Sequence, residues 1–268
     1  MTHPLAGVVV LGTLVVVGAL AATTASTHTP AGSTLLELGP ATGMLFKSIT
    51  HQGVEYKYVV HVPRDYDAAK KWPTIVFLHG AGECGTDGSK QVVQGLGAAV
   101  LMKPADWPFI VLLPQKPDVK KQWEDYDAPV MAMLDSAKQE YSVDASRIYL
   151  TGLSQGGHGT WTLAGNHPDV WAAIAPICGY VNFKRDGGVD RDAAAAIADK
   201  VKGLPIWTFH GEADDAVKPE QTRAVVDELT KLKADVKSSF YPGVNHNSWD
   251  KAYREEKLGA WFLSHTKK

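Results

Sequence analysis

The stretch Arg147-Ile-Tyr-Leu-Thr-Gly-Leu-Ser-Gln-Gly-Gly157 constrains this chain more than any other. Ile148-Tyr149-Leu150 is β-branched, aromatic and apolar, as suits a buried strand. From Gly156 to Asn166, ahead of His167-Pro168, the residues suit a helix. Between them a G-x-S-x-G sequence must turn the chain from strand to helix. A turn this sharp strains its apex residue, Ser154, and tolerates only very small residues two positions to either side, here Gly152 and Gly156. The strain lifts the serine hydroxyl clear of the sheet, where a base and a substrate can reach it. That arrangement is a nucleophile elbow. The bare pattern is short, and its weight comes from its surroundings.

A serine hydroxyl needs a base to take its proton, and the base, a histidine, needs a carboxylate to orient it. Downstream of Ser154, Leu204-Pro-Ile-Trp-Thr-Phe-His-Gly211 is a second buried-strand run, and it opens into Glu212-Ala-Asp-Asp215. Val236-Lys-Ser-Ser-Phe-Tyr241 alternates as a strand, and Pro242-Gly-Val-Asn-His246 follows it. Acid and base candidates therefore each follow a strand, in the order Ser, Asp, His. In an open α/β sheet such positions converge at the carboxyl ends of the strands. Asp215 competes with Asp214 for the acid role.

Acyl transfer also places negative charge on a carbonyl oxygen, which preorganised backbone N–H groups stabilise. Thr74-Ile-Val-Phe-Leu78 reads as a strand ending in His79-Gly-Ala-Gly82. The expected oxyanion donors are the amides of Gln155, which follows the nucleophile, and Ala81.

These segments carry a family resemblance. From about Gly43 to the C-terminus the chain resembles the α/β-hydrolase superfamily. Within it, the chain is similar to bacterial secreted esterases of the polyhydroxybutyrate-depolymerase-like and feruloyl-esterase-like kind, a group that includes predicted peptidases and phospholipase/carboxylesterase relatives. The matching segments are Tyr58–Tyr66, Phe77–Glu83, Thr151–Trp161, Ala173–Gly179, Phe209–Asp215 and Tyr241–Trp249. The resemblance implies a triad of Ser154, Asp214 and His246, with Ala81 and Gln155 at the oxyanion hole. Its His-Gly-x-x-Asp spacing favours Asp214 over Asp215. Cys84 departs from the pattern, standing where many relatives have a basic residue.

The remaining pattern alternates strands with helices. Strands are expected near Leu45–Ile49, Glu55–Val62, Thr74–His79, Phe109–Leu113, Ile148–Leu150, Ala172–Ile177, Leu204–His210 and Val236–Tyr241. Helices are expected near Lys90–Met102, Ala128–Tyr141, Gly156–Asn166, Asp190–Lys202, Pro219–Lys233 and Tyr253–Ser264. This alternation gives an α/β fold: a doubly wound, mostly parallel sheet with helices on both faces and no evident cap domain. A net charge of −2 offers no electrostatic case for nucleic acid or an anionic membrane surface. No metal-ligand cluster, P-loop or dinucleotide fingerprint is present, so no cofactor or metal is expected.

Leu5 to Ala22 is nearly unbroken apolar sequence, followed by small and Thr/Ser/Pro-rich residues through Pro30. Residues 1–25 are expected to be an export signal, with an uncleaved anchor as the alternative. Residues 26–42 would form a linker and 43–268 the catalytic domain, placed in the periplasm or outside the cell. No other membrane partner is expected. Cys84 and Cys178 follow strands expected to flank the nucleophile strand, about 9.6 Å apart, beyond disulfide reach of about 6.8 Å between Cα atoms. They are expected as free thiols, with a bridge as the alternative.

Other residues read as structural. His79 and His210 are expected to be hydrogen-bonding histidines at strand ends, and His158 a helix-face residue. Glu83 either lines an acyl pocket or fixes the oxyanion loop, the loop role being favoured. Trp123, Trp161 and Trp249 are candidate pocket floors, Trp123 foremost because its flanks are polar. The sum is an exported serine esterase acting on a small or polymer-linked ester through an acyl-enzyme intermediate. The alternatives are a prolyl-oligopeptidase-like serine peptidase using the same triad, and a non-catalytic binding protein on the same fold.

Overall fold

The computed structural model describes residues 41–182 and 188–267. The expected export signal, and the linker up to residue 40, lie outside the described residues. Strands β1 (Gly43–His51) and β2 (Val54–Val62) form an antiparallel hairpin. They are followed by β3 (Trp72–Leu78), β4 (Ile110–Pro114), β5 (Val143–Leu153), β6 (Ala173–Ile177), β7 (Ile206–Gly211) and β8 (Val236–Tyr241). All eight join one sheet in the order β1-β2-β4-β3-β5-β6-β7-β8. The β2–β4 pairing is antiparallel, and every pairing from β4 onward is parallel.

Helices α1 (Gly95–Met102), α2 (Asp127–Glu140), α3 (Gln155–Asn166), α4 (Arg191–Val201), α5 (Glu220–Lys231), α6 (Trp249–Arg254) and α7 (Leu258–Leu263) cover the two faces. Strand side chains alternate between faces, and the central strands bury both. Val76 and Leu78 of β3 pack with residues of α2, α3, α4 and α5 in one core. Ile75 and Phe77 pack with residues of α1, α6 and α7 in the other. Two covered faces explain why these strands read as unbroken apolar runs.

The sheet order sets the site. From β3 the chain moves to β4 on one side and later returns to β5 on the other, where Leu78 pairs with Gly152. Loops leaving neighbouring strands in opposite directions open a crevice at their carboxyl ends. The loops after β3 and β5 are those expected to carry the oxyanion donors and the nucleophile.

Two expected helices are corrected. The Lys90–Met102 segment is a 3-10 turn at Lys90–Val93 and an α-helix only from Gly95, where φ is +55°. A Cβ on Gly95 would stand 2.5 Å from Leu153 Cδ2, so the chain bends there to pack against β5. The Tyr253–Ser264 segment is also two helices, α6 and α7, which break between Arg254 and Leu258. The break lets Tyr253 and then Leu258 and Phe262 all enter the same core.

The start of α3 is packed against β3 with no spare room. A Cβ on Gly156 would lie 1.9 Å from the Leu78 carbonyl oxygen, a backbone atom. Gly156→Ala is therefore expected to lose more than about 3 kcal/mol of stability or fail to fold, since overpacking against fixed backbone has no rotamer escape. Gly203→Ala, where nothing lies within 4 Å, is the control and should change stability by less than about 0.5 kcal/mol. Equal thermal melts for the two variants would contradict this packing.

Candidate active site

Ser154 links β5 to α3 with φ +55° and ψ −115°, the strained apex expected of the turn. Its backbone N–H donates to the Ile177 carbonyl at 2.9 Å, which ties the apex to β6. The loop after β8 brings His246 to it, with Nε2 2.9 Å from Ser154 Oγ. His246 Nδ1 lies 2.7 Å from Asp214 Oδ2, in the turn after β7. A carboxylate only accepts, so Nδ1 carries the hydrogen and Nε2 presents its lone pair to the serine hydroxyl. This is the tautomer a general base requires. The Trp249 ring stands edge-on to His246, centroids 5.4 Å apart.

Asp214 is fully buried on its side chain, whereas Asp215 is exposed. The Asp214 Oδ1 atom accepts the backbone N–H groups of Ala216 at 3.0 Å and Val217 at 2.9 Å. Burial by itself would raise the pKa of Asp214, but hydrogen bonds from His210, His246 and Val217 outweigh it and hold the carboxyl well below the usual range. The structure thus brings Ser154, His246 and Asp214 together and leaves Asp215 outside.

The residues expected at the oxyanion hole lie in the loop after β3 and at the start of α3. A Cβ on Gly80 would stand 3.5 Å from Ser154 Cβ, so the loop after β3 abuts the nucleophile. Ala81 opens a 3-10 turn, Ala81–Glu83. The Glu83 carboxylate accepts the Gly80 N–H at 3.0 Å, pinning the loop, and burial raises its pKa. The Gln155 amide belongs to the first turn of α3, whose N–H groups have no intrahelical acceptor. The Gln155 side chain has a second task, donating to the carbonyls of Val119 at 3.1 Å and Lys121 at 3.3 Å.

That clasped loop contains a residue the sequence did not flag. Lys116 is 1% exposed, and its ammonium donates to the carbonyls of Asp118 at 2.7 Å and Lys121 at 2.5 Å. Burial lowers its pKa. The loop folds around this cation on one side and is held by Gln155 on the other. Lysine is almost never buried without partners, and nothing in Gln115-Lys-Pro117 announces it.

The pocket expectation at Trp123 and Trp161 is corrected. Both rings are 1% exposed and sit in the core. Trp123 Nε1 donates to the His79 carbonyl at 3.0 Å, and its ring meets His79 edge-on at 4.9 Å. His158 lies on α3 as expected, on the face of the helix that packs inward. It is buried and stacks on Tyr180 at 4.6 Å. Its Nδ1 is 2.9 Å from the Tyr180 carbonyl and its Nε2 3.1 Å from Glu124 Oε1. Tyr180 in turn donates its hydroxyl to Gln122 Oε1 at 2.6 Å.

His79 has the structural part expected of it. Its Nε2 accepts the Lys116 N–H at 2.9 Å, so Nδ1–H donates to the Gly80 carbonyl at 2.6 Å. Protonating the ring would point N–H at N–H in a site with no solvent exposure. Burial pushes its pKa down to about 4 from an ordinary 6.5. The unfolded chain therefore takes up this proton first as pH falls. The stabilisation is complete above about pH 6.5 and is lost toward pH 4, a loss of about 3 kcal/mol from this residue. Urea unfolding at pH 7 and pH 4.5 should show it, and His79→Gln should flatten the dependence. A pH-independent wild-type stability over that interval would contradict this reading.

Cys84 and Cys178 are both free, in agreement with the strand-spacing argument: β3 and β6 lie on either side of β5. Cys178 is fully buried with φ +39°, and burial pushes its thiol up to about 12. Its sulfur, Asp214 and His246 place ligand-type atoms within 4.8 Å of one another, the one such group among the described residues. The acid and base of that group already engage each other, so Cys178 reads as the floor of the triad.

Comparison with known proteins gives the family and the fold neighbours of the chain. Residues 114–257 match the dienelactone hydrolase family. The chain is 32% identical to poly(3-hydroxyalkanoate) depolymerase C of Paucimonas lemoignei over 123 residues, 38% of this chain and 29% of that protein. It is 25% identical to dipeptidyl-peptidase 5 of Porphyromonas gingivalis over 226 residues, 70% of this chain and 32% of that one. The chain thus spans less than a third of the length of these curated relatives. Among solved structures, a thermostable esterase superposes with a TM-score of 0.72 at 32% identity, covering 83% of this chain and 63% of that one.

Proposed function

The chain belongs to the dienelactone hydrolase family, and from that premise we propose that it is an exported serine esterase working through Ser154, His246 and Asp214. One observation carries the reading: Ser154 Oγ, His246 and Asp214 form a continuous relay at 2.9 and 2.7 Å. His246 Nε2 takes the Ser154 proton as Oγ attacks the ester carbonyl. Asp214 holds the imidazole and balances its charge once protonated. The amides of Ala81 and Gln155 stabilise the oxyanion. The imidazolium returns its proton to the departing alcohol, and water then cleaves the acyl-enzyme by the same steps in reverse. Export rests on the apolar Leu5–Ala22 run, and N-terminal sequencing of secreted enzyme tests it.

The dipeptidyl-peptidase relative keeps a second reading open, amide hydrolysis by the same residues. An amine is a poorer leaving group than an alkoxide, so p-nitrophenyl esters and dipeptidyl p-nitroanilides compared on purified enzyme separate the two. Ester turnover with no anilide turnover supports the esterase, and the reverse result supports the peptidase.

The pH profile follows from the geometry. His246 must be neutral to accept a proton, and Asp214, held low, stays ionised where the enzyme works. On the acid side kcat/KM should fall about tenfold per pH unit, the slope of a single ionisation. A chelator should leave the rate unchanged. A slope of two, or loss of activity with EDTA and its return with zinc, would contradict the mechanism.

A further inference from the structure

Asp214 Oδ2 faces two histidines. His246 Nδ1 is at 2.7 Å, and His210 Nε2, at the end of β7, is at 3.1 Å. The His210 ring has no solvent exposure, and both its nitrogens are engaged. Nε2 lies 2.9 Å from the Val217 carbonyl and Nδ1 2.8 Å from Thr222 Oγ1 on α5. The Val217 carbonyl and the Asp214 carboxylate are both acceptors only, so Nε2 carries a hydrogen and forks it between them. The Thr222 hydroxyl also lies 3.3 Å from the Gly179 carbonyl, which ties the ring to the segment after β6.

We propose that His210 is a positioning residue of the triad, a second imidazole donor that fixes the Asp214 carboxylate and shares its charge with His246. The proposal rests on the triad reading above. Two backbone amides hold Oδ1 and two imidazoles hold Oδ2, which fills the roughly four acceptor positions of a carboxylate. The group is left with one orientation, and that orientation aims Oδ2 at His246. The His210 N–H also takes up part of the negative charge that would otherwise act on the His246 imidazolium. His210 thus sets both the aim of the base and the pH at which it works.

The titratable groups facing this cluster are Asp214 from the turn after β7, His246 from the loop after β8 and Cys178 from the end of β6. From α5 the neighbour is Thr222, which does not titrate. Removing the His210 donor leaves more of the carboxylate charge to His246, favours the imidazolium, and moves the acid limb of kcat/KM to higher pH.

The test compares His210→Phe with His210→Gln, whose amide N–H can reach the place of Nε2. Phe should lower kcat about tenfold, the size of one hydrogen bond to a charged group, with KM little changed and the acid limb moved up. Gln should recover most of both. A folded His210→Phe enzyme with wild-type kcat and an unmoved limb overturns the proposal, as does His210→Gln performing no better than Phe. If His210→Phe does not fold, Thr222→Val carries the test, because it removes the hydroxyl that orients the ring: a lower kcat with a moved limb supports the proposal, and no change overturns it. Asp214→Asn is run alongside. If that variant also keeps full activity, it is the triad reading that has failed, not the role of His210 within it.

Discussion

Ser154→Ala is expected to leave the fold intact and to remove ester hydrolysis almost entirely. Replacing the serine alone in a comparable triad lowers kcat by about 10⁶-fold, nearly as much as removing all three members. The same size of loss is expected here, because among the described residues Ser154 supplies the hydroxyl that His246 Nε2 engages. Whatever rate remains comes from the oxyanion donors and substrate binding, on the order of 10³–10⁴ over water. The variant should melt close to the wild type, since alanine loses only the hydroxyl and keeps the same Cβ at the strained apex. Hydrolysis of a p-nitrophenyl ester within a factor of ten of wild type would remove Ser154 from the reaction.

The second large effect separates adjacent aspartates. Asp214→Asn keeps the shape of the side chain but offers His246 Nδ1 an amide that can donate, which favours the wrong tautomer. In a comparable triad that exchange lowers kcat by about 10⁴-fold. Asp215→Asn should stay close to wild type, because Asp215 is exposed and outside the hydrogen-bonded relay. Steady-state kinetics on the two variants decide between them, and the opposite ranking would contradict the geometry.

Much of this was legible in the residues, for physical reasons that can be named. Strands buried on both faces leave long apolar runs, so β3, β5 and β7 stood out, and the loops after β3, β5, β7 and β8 delivered Ala81, Ser154, Asp214 and His246 to one end of the sheet. What failed was packing detail. Trp123 lies in the polar stretch Lys120–Asp125 and reads as a pocket floor, yet its ring runs beneath α3. The signal was Gly159: a Cβ there would stand 2.6 Å from Trp123 Cβ, so the helix keeps a glycine to let the indole in. In the helix expected at Lys90–Met102 the signal was Gly95, whose φ of +55° makes the bend against Leu153. Glu255-Glu-Lys257 suits a helix, and only packing into the Tyr253 core breaks the one expected at Tyr253–Ser264. Lys116 was invisible because the carbonyls that hold its ammonium belong to backbone, which no side-chain pattern encodes.

The mechanism stands or falls on acylation of Ser154 during turnover. Intact-mass analysis after treatment with a fluorophosphonate, followed by peptide mapping, tests it most directly. One adduct per chain is expected, located on Ser154, formed in step with loss of esterase activity and absent from Ser154→Ala. In His246→Ala adduct formation should slow by several orders of magnitude, since without the base the hydroxyl is a weak nucleophile. An enzyme that hydrolyses esters but carries no adduct, or carries it on another residue, would contradict it.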